Sequence, residues 1–270
     1  MRVPFVKMHG LGNDFVVLDA RAERLPPITA RLAAGLADRH TGIGCDQLIL
    51  LEPSASADLR MRIFNHDGGE VEACGNASRA VGLLLGTAAR IETLGGLLSV
   101  DPAEAGIAVE LPAPQFEWDQ IPLAYAMDTH HMPVAWDALD IPTALNVGNP
   151  HIVFFVPDCG AVALERLGPE IEHDPLFPDR INVNVATIES RSRIRLRVWE
   201  RGVGETRACG TGACATAIGA MRRGLTEREV TVALPGGELV IEWTAAGTIR
   251  MTGPAAESFR GAFESGDYPA

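Results

Sequence analysis

The chain reads as an α+β protein of two pseudo-symmetric lobes, and three observations carry that reading. One motif occurs twice, as FNHDGGEVEACGNASRAVGLLL over residues 64–85 and as WERGVGETRACGTGACATAIGAM over residues 199–221. Cys74 and Cys209 stand 135 residues apart, half of the 270-residue chain; at that offset Arg60, Arg62, Gly69, Glu70 and Gly75 meet Arg195, Arg197, Gly204, Glu205 and Gly210. Such a run at a fixed offset marks an internal duplication. Each copy passes from an alternating, strand-like segment through a glycine-punctuated turn into a helical one. The rest of each half consists of short alternating or apolar runs bounded by Gly, Pro, Asn and Asp. Many short strands with one long helix per half predict, in each lobe, a curled, barrel-like and mostly antiparallel sheet around a central helix.

Taken in order, residues 3–7 and 15–19 read as strands around the turn 9–14, and residues 29–39 carry helical Leu and Ala spacing. Strands follow at 47–51 and 59–65, then the helix from Cys74 to about 89 and strands at 91–93, 97–101 and 106–111. The Pro-rich stretch 112–142 is weakly patterned and reads as the linker. Beyond it the order repeats: Gly148-Asn149 answers Gly12-Asn13, a helix is expected over 162–171, and strands at 181–188 and 193–200 lead to the Cys209 helix. Residues 238–243 and 249–251 read as further strands. The expected lobes are 1–115 and 116–257, with a tail, 258–270, that can complete the first.

A formal charge of −12 excludes a nucleic-acid role, which needs a basic face. Five cysteines without a CxxC pair argue against a disulfide framework or a zinc site, and fit a reducing cytoplasm. No signal-peptide h-region and no membrane span are expected. Seven scattered histidines give no metal site, and Lys7, the sole lysine, is the one candidate for a pyridoxal phosphate Schiff base, with nothing else to support it.

The chemistry concentrates at the repeated cysteines. Each sits where a turn opens into a helix, so unpaired N–H groups and the helix dipole are expected to lower its pKa. Two thiols presented by related lobes across a cleft suit racemisation or epimerisation: one takes the α-proton as thiolate, the other returns a proton to the opposite face. The N–H groups of Gly75, Asn76, Gly210 and Thr211 can bind the carboxylate and stabilise its enediolate, so no cofactor is required. Cys45, Cys159 and Cys214, which lack that placement, read as small core residues. Plainer readings stand beside the functional ones. Asn13 and Asn149 suit turns, His151 suits a cap or the core, and Glu200-Arg201 suits a surface ion pair.

The strings KMHGLGNDF, GIGCDQ, RIFNHDG, ACGN, GNPH, RIN and ERGVGETRACGTGACA resemble the cofactor-independent diaminopimelate epimerases, and they span nearly the whole chain. The resemblance implies two similar lobes, each a sheet around a central helix, with the active site in the cleft between them. It implies Cys74 and Cys209 as the base and acid, and His151 and Glu200 as residues that tune the thiols and help bind substrate. Asn13, Gln47, Asn65, Asn149, Asn182 and Arg201 match substrate-contacting positions, with Gly75, Asn76, Gly210 and Thr211 as carboxylate-binding amides. Arg201 can grip the carboxylate of the non-reacting end in bidentate fashion. The partner implied is a small molecule, diaminopimelate, turned from the LL to the meso form for lysine and peptidoglycan synthesis; a homodimer is implied too. A related two-cysteine racemase for proline, hydroxyproline or histidine is the alternative. A redox or ligand-binding protein with a Cys74–Cys209 disulfide is the rival from another class.

Overall fold

The computed structural model describes residues 1–22, 25–72 and 74–268. In chain order the elements are β1 (Arg2–Gly10), β2 (Asn13–Asp19), α1 (Ala30–Ala37), β3 (Gln47–Glu52), β4 (Leu59–Asn65), β5 (Glu70–Val71), α2 (Gly75–Leu85), β6 (Ala89–Thr93), β7 (Gly96–Ala103) and β8 (Gly106–Leu111). The hairpin β9 (Ala135–Trp136) and β10 (Leu139–Asp140) follows, then β11 (Thr143–Asn146), β12 (Pro150–Phe155), α3 (Leu164–Glu172), β13 (Asn182–Ser190) and β14 (Arg193–Glu200). The chain ends with β15 (Gly204–Thr206), α4 (Gly210–Arg222), β16 (Glu229–Leu234), β17 (Gly237–Trp243), β18 (Ile249–Gly253) and β19 (Ala256–Glu264).

Two compact units result, Met1–Val109 with Gly253–Ala270, and Glu110–Thr252. The second unit therefore opens at Glu110 rather than at 116, and the tail joins the first unit from Gly253 because β19 pairs antiparallel with β1 along its length.

The duplication is visible in the strand pairing itself. In the first unit β2 runs parallel to β3, β3 antiparallel to β4, and β4 is flanked by antiparallel β5 and parallel β6, which β7 follows. In the second, β12 to β17 make the same pairings in the same order. The register agrees as well: Leu48 faces Phe64 and Phe64 faces Glu70, while Val183 faces Trp199 and Trp199 faces Glu205, each 135 residues on. Even an ion pair recurs at this offset, Arg62 to Glu70 at 2.7 Å and Arg197 to Glu205 at 2.8 Å.

Alternation explains the strands. In β14 the apolar Ile194, Leu196 and Val198 are buried while Arg193, Arg195 and Arg197 point away from that core. α1 starts where the Thr29 hydroxyl accepts from the Leu32 N–H at 3.1 Å. α2 stops at Gly86, whose φ of 70° is a left-handed cap. α4 is buried from Gly212 to Ala220 and packs on β11 to β14, β16 and β17. Its side chains there, Ala213, Cys214, Ala215, Thr216, Ala217, Ile218 and Ala220, are mostly small, which lets a sheet close around a helix on several sides.

The expected linker is no linker. Ile121, Leu123, Met132, Trp136 and Leu139 from that stretch are buried in the second unit's core with Phe154, Leu167 and Phe177. Its apolar residues are too irregularly spaced to reveal a strand or helix, yet they bury as fully as regular elements do.

Candidate active site

Both cysteines of the repeated motif occupy the N-cap position of their helix with extended backbone, Cys74 before α2 and Cys209 before α4. The first helical bonds run from Ser78 N–H to the Cys74 carbonyl and from Ala213 N–H to the Cys209 carbonyl. Gly75 and Asn76, like Gly210 and Thr211, thus contribute the leading N–H groups of a helix, which have no intrahelical acceptor.

In the first unit the Cys74 Sγ lies 3.8 Å from Asn13 Oδ1, which also accepts from Asn76 Nδ2 at 3.2 Å. The other end of the Asn13 amide donates to Asp46 at 3.0 Å. Asn76 is held in turn by the fully buried Arg79, whose guanidinium donates to Asn76 Oδ1 at 2.7 Å. Gln47 and Asn65 are cross-strand partners on β3 and β4, and the Gln47 amide donates to Asn65 Oδ1 at 2.9 Å. Sequence reasoning missed Arg79 and Asp46, which support the expected residues from behind.

In the second unit the Cys209 sulfur accepts from the Gly212 N–H at 3.4 Å and lies 3.6 Å from the Thr211 hydroxyl. The Glu200 carboxylate, whose Oε1 accepts from Thr206 at 2.5 Å, lies close enough to perturb the Cys209 thiol. Burial pushes the Cys209 thiol well above the ordinary range, and the Glu200 charge adds to that; Thr211 and Gly212 pull the other way and lose. The expected helix-start effect is therefore present but outweighed, because in a closed site desolvation of a thiolate costs more than two donors return. Burial raises Glu200 too, against the hydrogen bond from Thr206. Cys209 is therefore held as a thiol, with the Glu200 carboxylate nearby.

His151, fully buried, has both ring nitrogens engaged: Nε2 with Asn149 Oδ1 at 2.9 Å and Nδ1 with Asn184 Nδ2 at 3.1 Å. Burial lowers its pKa to about 3, with Arg201 lowering it further, so the ring is neutral. Asn182 spends its amide on the backbone, accepting from Arg201 N–H at 3.0 Å and donating to the Pro150 carbonyl at 2.8 Å. The exposed Arg201 side chain donates to the Asp179 carbonyl at 2.8 Å. Asn184 escaped sequence reasoning although it lies two residues beyond Asn182 on β13, hence on the same face. Cys45, Cys159 and Cys214 are buried core residues, and burial pushes the Cys45 thiol up to about 11.

A family model described as diaminopimelate epimerase matches residues 5–116 and 143–257. A diaminopimelate epimerase of Erythrobacter litoralis is 68% identical over 268 residues, covering 99% of this chain and 100% of that one. Another, of Rhizorhabdus wittichii, is 66% identical over 259 residues, with 96% and 94% covered. Among solved structures, the Bacillus anthracis phenazine biosynthesis protein of the PhzF family superposes with a TM-score of 0.70 at 16% identity, covering 98% of this chain and 99% of that one; this likeness is one of fold.

Proposed function

The chain belongs to the diaminopimelate epimerase family, and we propose that it converts LL-2,6-diaminopimelate to the meso form with Cys74 and Cys209 as its two bases. It is an isomerase, and relatives of that name at this identity favour diaminopimelate over the proline, hydroxyproline or histidine alternative. The observation that carries the two-base reading is the recurrence of one cysteine at the N-cap of an equivalent helix in each duplicated unit.

Cys209 enters as the acid, since its proton is held by burial and by Glu200. Cys74, as thiolate, takes the α-proton, and Cys209 delivers its own to the opposite face of the same carbon. Well-placed proton transfer of this kind is worth roughly 10²–10⁴-fold. Charge that develops on the substrate carboxylate falls on the leading N–H groups of α2 and α4, where a preorganised donor contributes about 3–4 kcal/mol. Arg201 pairs with the carboxylate of the non-reacting end, and Glu200, Asn65 and the neighbouring amides complete its recognition, which rejects substrates lacking that second end. In this reading the enzyme works in the cytoplasm as a homodimer, supplies lysine and peptidoglycan synthesis, and uses no cofactor; family resemblance is what supports the dimer and the compartment.

Proton NMR of LL-diaminopimelate with the reduced protein in D2O, without pyridoxal phosphate, tests it. The signal of the α-proton at one centre should vanish as meso product forms. Exchange in proline, hydroxyproline or histidine instead would overturn the substrate and keep the mechanism; silence with all four would overturn both.

A further inference from the structure

Asn184 lies on β13 behind the Cys209 site, and its nitrogen end is fixed by two carbonyls, Ile152 O at 2.9 Å and Asn182 O at 3.4 Å. Only a donor tolerates both. The same nitrogen meets His151 Nδ1 at 3.1 Å, and an amide nitrogen does not accept hydrogen bonds, so Nδ1 is the bare nitrogen of the ring. The neutral imidazole then carries its proton on Nε2 and donates it to Asn149 Oδ1 at 2.9 Å. That bond fixes which end of the half-buried Asn149 amide faces the ring, and leaves its N–H donors on the other side, with no acceptor among the described residues.

Packing alone does not account for Asn184. Its Oδ1 is buried without a partner, an expense that an apolar side chain avoids. The equivalent place in the first unit, facing Val17 as Asn184 faces Val153, holds Ile49. The second unit's helix start is also built around it: a side chain on Gly212 would begin 2.7 Å from that oxygen.

We propose that Asn184 is a positioning residue that sets the His151 tautomer and thereby turns the Asn149 amide so that its N–H donors are left for a substrate carboxylate. This rests on the epimerase reading for the identity of the ligand, whereas the hydrogen-bond relay stands without it.

The relay is read first in the unmodified protein. Long-range 1H–15N correlation of its seven histidine rings should show one ring, unmoved between about pH 5 and 8, with Nε2 protonated and Nδ1 bare. A proton on Nδ1 overturns the proposal, whatever any variant does. Calorimetry with pimelate, which has both carboxylates and no ammonium, then tests the readout without turnover. Asn149→Ala and Asn184→Leu should each weaken pimelate about tenfold, and the double variant should be no worse than Asn149→Ala alone. Unchanged pimelate affinity, or independent losses that multiply in the double variant, would sink the relay. Loss of pimelate binding without any epimerase turnover in the unmodified protein would instead remove the epimerase reading and leave the relay intact.

Discussion

The two units share a scaffold and differ in what they place around it. At equivalent registers the first has Phe15, Gln47, Ile49 and Asn65 where the second has His151, Asn182, Asn184 and Glu200. The Arg62–Glu70 and Arg197–Glu205 pairs, the flanking strands and the cysteine N-caps are the same. Duplication thus kept the residues that aim each cysteine and changed those behind it. In the first unit the amides next to Cys74 are backed by Asp46 and the buried Arg79; in the second, the equivalent strands carry a carboxylate, Glu200, and a neutral imidazole, His151. The lesson is that a symmetric frame can carry an asymmetric proton inventory, which a reaction needing one acid and one base requires.

The largest effect is expected from the shared feature. Cys74→Ala and Cys209→Ala should each lower kcat/KM by roughly 10³-fold or more, although their surroundings differ; appreciable turnover in either variant would mean that the two units do not act as one base pair.

Next comes the carboxylate. Glu200→Asn gives the second unit the residue of the first, and kcat should fall by about 10²-fold. Glu200 also raises the Cys209 pKa, so its removal should shift the alkylation-rate profile of Cys209, measured in a Cys74→Ala background, to lower pH. A profile that stays in place would remove Glu200 as the partner of that thiol.

His151 gives the second unit an acid weakness that Phe15 does not give the first. Its folded pKa, about 3, lies below that of an unfolded histidine, so the unfolded chain takes up a proton that the folded one refuses. Stability from this source is complete above about pH 6.5 and is lost as pH falls toward 3, reaching roughly 2–3 kcal/mol by pH 4.5. Asp14, held well below the usual carboxylate range by Arg39 and Lys7 in spite of burial, falters only below about pH 4. Urea midpoints compared at pH 7 and 4.5 should therefore drop less in His151→Phe than in the unmodified protein, and equal drops would contradict the buried neutral ring.

The smallest effect sharpens the helix starts. Gly212 stands where the first unit has Ala77, and helix propensity alone makes Gly212→Ala stabilising by about 1 kcal/mol. Because the new Cβ would lie 2.7 Å from Asn184 Oδ1 and 3.0 Å from Val198, we expect a loss of about 1–3 kcal/mol instead. A raised thermal midpoint would show that this contact relaxes freely.

Much of this was legible in the residues alone. The repeat, the N-cap cysteines, the strands at β4 and β14 and the core placement of Cys45, Cys159 and Cys214 followed from spacing and alternation, which are local properties. Only the tertiary structure decided the rest. The stretch 112–142 joined a core because burial depends on what lies across from a residue, not beside it in sequence. Cys209 became a resting thiol because desolvation and the Glu200 charge are set by enclosure, while the helix start that sequence reveals is the weaker influence. The His151 tautomer was fixed by Asn184, 33 residues away along the chain, through a hydrogen bond that no local pattern encodes.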